Sequence, residues 1–218
     1  MEMSRDVEAG QAVYSHAVLA IYDLYVFGLS NRFIWKCQTD RLLNNYDANI
    51  SANHLEIGVG SGFLLDRCRF PVESPNVALL DLNENSLEVT MNRIKRYAPV
   101  SFRRNVLESF SIGPQKYDSI GMNYLLHCLP GSMLSKAVVF ENILDVLNTD
   151  GVVFGSTLVQ PGAQVGWLAQ KMMDIYNRKG IFSNHEDRVD DLENILSTHF
   201  TQHSIEVCGA AAIFSAKI

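Results

Sequence analysis

The chain has 218 residues, 47% of them hydrophobic, which is enough for one sizeable core and short for two. A formal net charge of −6, with no long Lys/Arg run, argues against a protein that gains affinity by neutralising nucleic-acid phosphates. The four cysteines, Cys37, Cys68, Cys128 and Cys208, are far apart and form no C-x-x-C pair. Neither a zinc knuckle nor a disulfide framework is indicated, and reduced thiols in a cytoplasmic protein are expected. The first residues include Glu2, Arg5, Asp6 and Glu8 rather than a basic region followed by an apolar run, so no secretory signal is expected. The apolar stretch from Ala17 to Trp35 is interrupted by Asp23, Asn31 and Arg32, which are costly in a bilayer, so no membrane span is expected.

From Gln11 to about Tyr46, apolar residues recur at three and four positions (Ala12, Val13, His16, Ala17, Ala20, Ile21, Leu24), and Ser30-Asn31 offers a cap for a second helix. Residues 1–50 thus read as a helical cap and residues 51–218 as the core of one domain. Aromatic residues are dense in the cap. Tyr14, Tyr22 and Trp35 are candidate contacts for an apolar ligand, although aromatics at helical spacing also serve ordinary packing.

The core alternates strands and helices. Strands are expected at His54 to Ile57, Val77 to Leu82, Val100 to Arg103, Tyr117 to Asn123 and Gly151 to Leu158. Such alternation implies an α/β fold, a parallel sheet with helices on both faces. Met133, Leu134, Ala137, Val138, Ile143, Leu144 and Leu147 mark an amphipathic helix that Asn148-Thr149-Asp150-Gly151 should end as a turn. A helix through Val165, Leu168, Met172, Ile175 and Tyr176 stops at Lys179-Gly180, and another carries Val189, Leu192, Ile195 and Leu196. Residues 202–208 and 211–217, separated by Gly209, read as a terminal antiparallel hairpin. The basic cluster Arg93, Lys95, Arg96, Arg103 and Arg104 reads as a solvated face, and His199 and His203 lack a third ligand at metal-binding spacing.

The segment His54-Leu55-Glu56-Ile57-Gly58-Val59-Gly60-Ser61-Gly62-Phe63-Leu64-Leu65 carries the strongest functional signal, because a strand runs straight into three alternating glycines and a helix start. Bare backbone at such a turn can approach a polar small molecule. A dinucleotide site would want its third glycine at position 63, where Phe63 stands, and a P-loop would want Gly-Lys-Ser/Thr. What remains is E-x-G-x-G-x-G, the glycine pattern of S-adenosylmethionine sites. On these residues the chain resembles the class I methyltransferase family. The segments Tyr14-Ser15, Ile21-Tyr22-Asp23 and Ser30 through Cys37 resemble short microbial methyltransferases of the YbcY type, a likeness that spans essentially the whole chain.

Asp81 ends the second strand nineteen positions beyond Gly62, where a carboxylate can accept both hydroxyls of a ribose; the alternative is a cap for the next helix. The resemblance implies a Rossmann-like, mostly parallel seven-stranded sheet closed by the C-terminal hairpin, with S-adenosyl-L-methionine as cofactor. It also implies that Gly58, Gly60 and Gly62 lie beside the methionine portion, that Glu56 faces its ammonium through water, and that Leu82 lies along the adenine. The family usually places an Asp and an apolar residue after the third strand to hold the adenine amino group. Asn105-Val106 stands there, with an amide oxygen that can still accept; a plain turn is the alternative. By resemblance Asn123 and Tyr124 line the cofactor. His127 falls near the reaction centre, and a neutral imidazole there could take a proton from an acceptor or be a structural contact.

The expected activity is methyl transfer from S-adenosylmethionine to an O, N or S atom of a small, hydrophobic metabolite, without nucleic acid, membrane or metal. The other reading is a protein of this fold that binds the cofactor without transferring methyl, as a regulatory or partner-binding module. A homodimer is compatible with either.

Overall fold

The computed structural model describes residues 23–113, 115–160 and 165–218. A π-helical segment, Asp23–Ile34, comes first, and its end is marked by the Trp35 N–H donating to the Ser30 carbonyl five residues back, at 2.8 Å. Lys36 then takes a left-handed backbone with φ 54°, and helix α1 runs over Thr39–Asn49. The second helix therefore starts at Thr39, not at Ser30-Asn31. The sequence signal at Ser30-Asn31 is spent inside the π-helical turn, while the Thr39 hydroxyl donates to the Phe27 carbonyl at 2.5 Å and ties the two segments together.

Seven strands follow: β1 Asn53–Ile57, β2 Asn76–Asp81, β3 Val100–Arg103, β4 Tyr117–Asn123, β5 Leu147–Leu158, β6 Gln202–Cys208 and β7 Ala211–Lys217. Helices α2 (Phe63–Arg67) and α3 (Glu84–Arg93) connect the first strands. Helices α4 (Val138–Leu144), α5 (Trp167–Arg178) and α6 (Val189–His199) complete the described α-helices. The sheet order is β3-β2-β1-β4-β5-β7-β6. Neighbours from β3 to β5 are parallel, and β7 runs antiparallel to both β5 and β6. Central strands β1, β2 and β4 are buried along almost their whole length, as a parallel sheet covered on both faces requires, with β2 apolar and β1 and β4 interleaving polar residues. The chain leaves β1 in one direction for β2 and β3 and returns on its other side for β4, so the order reverses at the carboxyl end of β1. In sheets of this kind a ligand crevice opens at that point.

Two apolar layers sandwich the sheet. On one side Leu55, Ile57, Ile120 and Val153 pack with Phe140 and Ile143 of α4 and with Leu192, Ile195 and Leu196 of α6. On the other, Val77, Leu79, Phe154 and Leu158 meet Leu42 and Tyr46 of α1, Leu64 and Leu65 of α2, and Met173 of α5. Trp35, Cys37 and Ile50 are buried in that second layer too, so a division at residue 50 passes through one continuous core.

One boundary differs from the sequence reading. Asn148-Thr149-Asp150-Gly151 does not end the helix; α4 stops at Leu144, and β5 already begins at Leu147. Tyr117 pairs with Leu147, and Ser119 with Val152, so the intervening residues of β5 bulge out of register. Asn148 donates from this bulge to Asp118 Oδ1 at 2.6 Å. Turn-forming residues are thus accommodated in a strand edge by a bulge. Among the described residues no helix is long and apolar enough to cross a membrane.

Candidate active site

The carboxyl ends of β1, β2 and β4 enclose an open cleft lined among others by Glu56, Gly58 to Phe63, Asp81, Leu82, Asn105, Val106, Asn123 and Tyr124. All ten predicted cofactor positions are in that lining, although they are spread in sequence from Glu56 to Tyr124. The glycine loop leaves β1 with Gly58 N–H donating to the Leu80 carbonyl at 2.9 Å, which locks the loop to the end of β2. Gly58, Gly60 and Gly62 all have positive φ, at 71°, 54° and 71°, a conformation that L side chains rarely adopt. Their surroundings differ. A Cβ at Gly62 would meet Thr90 Cγ2 at 2.8 Å and one at Gly58 would meet Leu125 Cδ1 at 2.7 Å, whereas at Gly60 nothing lies within 4 Å. Gly58 and Gly62 serve close packing of the loop; Gly60 faces the open cleft.

Asp81 stands at the end of β2, with Oδ1 accepting from the Asn83 N–H at 2.8 Å. Burial pushes its carboxyl up to about 6, against the opposing pull of backbone N–H groups of Asn83, Val59, Leu82 and Gly60. Helix α3 has its own cap, since Asn83 Oδ1 accepts from the Ser86 N–H at 3.2 Å. Asp81 is not that cap, and its carboxylate is turned toward the glycine loop. Asn105 is more committed: Oδ1 accepts from the Leu107 N–H at 3.1 Å and Nδ2 donates to Glu108 Oε1 at 2.9 Å. It forms an Asx-type turn at the rim, beside the buried Val106.

At the end of β4 the Asn123 side chain is nine-tenths buried, with Oδ1 accepting from Ser156 Oγ at 3.1 Å. Its Nδ2 makes no hydrogen bond of normal geometry among the described residues, although it is directed toward the Tyr46 hydroxyl. A buried amide donor left open in a ligand-sized cleft fits a polar group of a bound molecule. Tyr124 follows with φ 54°, rare for a bulky residue, and is held there by its N–H donating to the Ser156 carbonyl at 2.7 Å and its hydroxyl donating to Asn31 Oδ1 at 2.9 Å. Its ring stacks near Phe27, which lies flat on Phe63 at 4.6 Å. Three aromatic rings thus form one wall of the cleft. Phe27, Tyr46, Leu125 and Cys128 also line it without having been expected as ligand contacts, and Arg104, read from the sequence as part of a solvated basic face, lines it too. The aromatic density of the cap hinted at Phe27, while Tyr46 carried no local signal.

His127 is placed differently. It is 3% exposed, does not line the cleft, and packs edge-on against Tyr124 at 5.8 Å and Phe182 at 4.5 Å. Its Nδ1 accepts from the Leu158 N–H at 3.3 Å. Burial, assisted by the nearby Lys136 charge, pushes its pKa down to about 3, so the ring is a poor proton acceptor. The geometry supports the structural alternative over the base. Trp35 is 4% exposed and packs against Phe182 at 6.3 Å, outside the cleft lining. Tyr14 and Tyr22 lie outside the described residues. Among the described residues no group of three His, Cys, Asp or Glu side chains could hold a metal ion.

A sheet of this order, with a glycine loop after the first strand and a carboxylate after the second, defines a nucleoside-binding α/β protein of the methyltransferase type. Comparison with known proteins agrees. Residues 55–153 match a family described as a methyltransferase domain. The chain is 40% identical over 214 residues to demethylluteothin O-methyltransferase of Streptomyces thioluteus, covering 98% of this chain and 93% of that one. It is also 40% identical to YbcY of Escherichia coli (strain K12), covering 87% of this chain and 98% of that one. A physcion biosynthesis cluster O-methyltransferase of Aspergillus chevalieri is 34% identical over 96% of this chain and 95% of its own length. A solved complex of DhpI with SAH superimposes with a TM-score of 0.70 over 97% of this chain and 96% of that one, at 14% identity, a likeness of fold. The chain belongs to the class I S-adenosylmethionine-dependent methyltransferase family. It is an S-adenosylmethionine-dependent methyltransferase, and the open Asn123 donor, the clear space at Gly60 and the Asp81 carboxylate fit that cofactor.

Proposed function

We propose that this enzyme methylates an oxygen atom of a small, largely apolar metabolite. The observation that carries this reading is the aromatic wall of Phe27, Phe63 and Tyr124 on the cofactor cleft, in a chain whose full-length relatives include proteins named O-methyltransferases. Aromatic faces suit both an apolar acceptor and a cationic sulfur.

When bound, S-adenosylmethionine supplies the methyl group on a sulfonium that leaves as a neutral thioether. The chain's own residues would then bind, orient and exclude water. Asp81 accepts from the two ribose hydroxyls, Gly58 and Gly60 bring bare backbone against the amino acid portion, and Glu56 faces the ammonium. Leu82 and Val106 flank the adenine, with Asn105 at the rim. Asn123 offers its unused amide donor, and Tyr124 sets the wall nearest the acceptor. His127 supports Tyr124 and Phe182 from behind and takes no proton; the acceptor's hydroxyl proton leaves to solvent, so that the oxygen attacks as a phenolate or enolate. Tyr14 and Tyr22 remain the acceptor contacts proposed from the sequence, whereas Trp35, buried outside the cleft lining, packs on Phe182 and is not one.

Purified enzyme incubated with methyl-labelled S-adenosylmethionine and matched phenol, enol, thiol and amine acceptors tests the reading. Label on hydroxyl oxygen is expected. Transfer confined to thiols or amines overturns the choice of oxygen, and cofactor binding with no transfer across the panel favours a binding module.

A further inference from the structure

The glycine strand carries a buried polar network of which the cofactor assignments above use only Glu56. His54 and Glu56 are two apart on β1, so both project from the same sheet face, under α1 and Phe154. Their exposures are 0% and 3%. Both Glu56 oxygens are engaged: Oε1 accepts from the Tyr46 hydroxyl at 2.5 Å, and Oε2 lies 3.0 Å from His54 Nε2. Room for the pair comes from Gly121 on the neighbouring strand, because a Cβ there would collide with Glu56 Oε2 and crowd His54 Cε1 at 3.1 Å.

The far side of His54 is tied into a hydroxyl relay. His54 Nδ1 is 2.8 Å from Ser119 Oγ, which accepts from the Ser51 N–H at 2.9 Å and also lies 2.9 Å from Ser51 Oγ, where either hydroxyl can donate. The Ser51 hydroxyl reaches the Asn53 carbonyl at 2.8 Å. Whichever way that relay is polarised, an ionised carboxylate only accepts, so Nε2 carries the proton that points at Glu56, assigned from the network. The Nε2–H and the Tyr46 hydroxyl are thus both directed to one carboxylate, as hydrogen bonds that stabilise an anion are. Burying a charge is costly, and these two donors offset the cost. Glu56 lines the cofactor cleft, and Tyr46 lines it beside Glu56.

We propose that His54 and Tyr46 are positioning residues for the methyl transfer: they hold Glu56 as an oriented anion against the ammonium of the cofactor. This end of the cleft thereby selects for the amino acid tail of the cofactor rather than for its nucleoside. The inference rests on the reading of Glu56 as the ammonium partner.

The test compares two ligands by calorimetry. S-adenosylhomocysteine carries the amino acid end; 5′-methylthioadenosine carries the same nucleoside and thioether without it. His54→Phe keeps the ring and its stacking on Phe154, and Tyr46→Phe removes only the hydroxyl. Each should weaken S-adenosylhomocysteine by at least about tenfold, the scale of a lost hydrogen bond to a buried charge, and leave 5′-methylthioadenosine within about twofold. Equal losses for both ligands, or no loss for either, overturn the proposal. Glu56→Gln separates the two claims. Weakened S-adenosylhomocysteine in Glu56→Gln with unchanged affinity in His54→Phe and Tyr46→Phe overturns the positioning role alone. Unchanged affinity in Glu56→Gln removes the ammonium assignment and the positioning role with it. Should His54→Phe fail to fold, Ser119→Ala, which removes the hydroxyl that anchors Nδ1 of the ring, gives the same comparison.

Discussion

Asp81 concentrates the electrostatic consequences at the residue scale. Its folded carboxyl titrates at about 6 because burial penalises the anion, whereas an unfolded aspartate titrates near 3.9. A group raised in this way binds its proton more tightly when folded, so it destabilises the free protein above about pH 6, and that cost is relieved as the pH falls. In the proposed binding mode the ribose hydroxyls need the Asp81 anion as acceptor, which makes binding run the opposite way. S-adenosylhomocysteine affinity should fall by up to about tenfold per pH unit below 6, measured by calorimetry. Asp81→Asn should flatten that profile, weaken binding at pH 7.5 by about 1 to 3 kcal/mol, and raise the melting temperature of the free protein. A steep profile surviving in Asp81→Asn would assign the titration elsewhere. The glycine loop gives a second contrast. Gly62→Ala combines left-handed backbone with a clash on the fully buried Thr90 and should cost more than the roughly 1 to 2 kcal/mol of conformational strain alone. Gly60→Ala pays only the strain in folding but places a methyl in open cleft space, so its loss should show chiefly in cofactor affinity. Urea denaturation alongside calorimetry separates the two.

Among the elements, the segment after α5 is held by a pair that no local pattern announced. Lys136 Nζ donates to Asp187 Oδ2 and to the Ser183 carbonyl, both at 2.6 Å, with the two side chains 0% and 1% exposed. Burial lowers the lysine and raises the aspartate while each charge holds the other ionised. This clamp fixes Phe182 between His127 and Tyr176, and therefore supports the wall behind Tyr124. Lys136→Ala leaves an unpaired buried carboxylate and should destabilise by about 3 to 5 kcal/mol, while Lys136→Met with Asp187→Leu should recover most of it. Denaturant unfolding of the three proteins checks the pair; equal losses in the single and double variants would show that packing rather than charge sets the cost. Element by element, strand positions were legible because alternation and apolar runs are local. The bulge at Asn148 to Gly151 and the start of α1 were not. Both depend on what the neighbouring strand or segment offers as hydrogen-bond partners, namely Asp118 for the bulge and the Phe27 carbonyl for Thr39.

Across the whole molecule, residues 35–50 are part of the sheet's covering layer. Trp35, Leu42 and Tyr46 are buried against Leu79, Phe154 and Leu158, so a chain starting at residue 51 should lose a cooperative thermal transition. A sharp melt in that shortened chain would restore the separate cap. The sequence by itself determined the fold class and the glycine turn and, through its resemblance to the methyltransferase family, the cofactor, because the signals are short-range: three glycines in five positions, a carboxylate at a strand end, two apolar runs about one turn. Only the tertiary structure decided how those residues act. It buried His127 behind the wall and lowered its basicity, and it gave Asn83 rather than Asp81 the helix cap. It also left the Asn123 donor open and led a chain of hydrogen bonds through His54 to Glu56. Solvation and partner geometry come from residues distant in sequence, and the protonation and direction of a side chain follow from them.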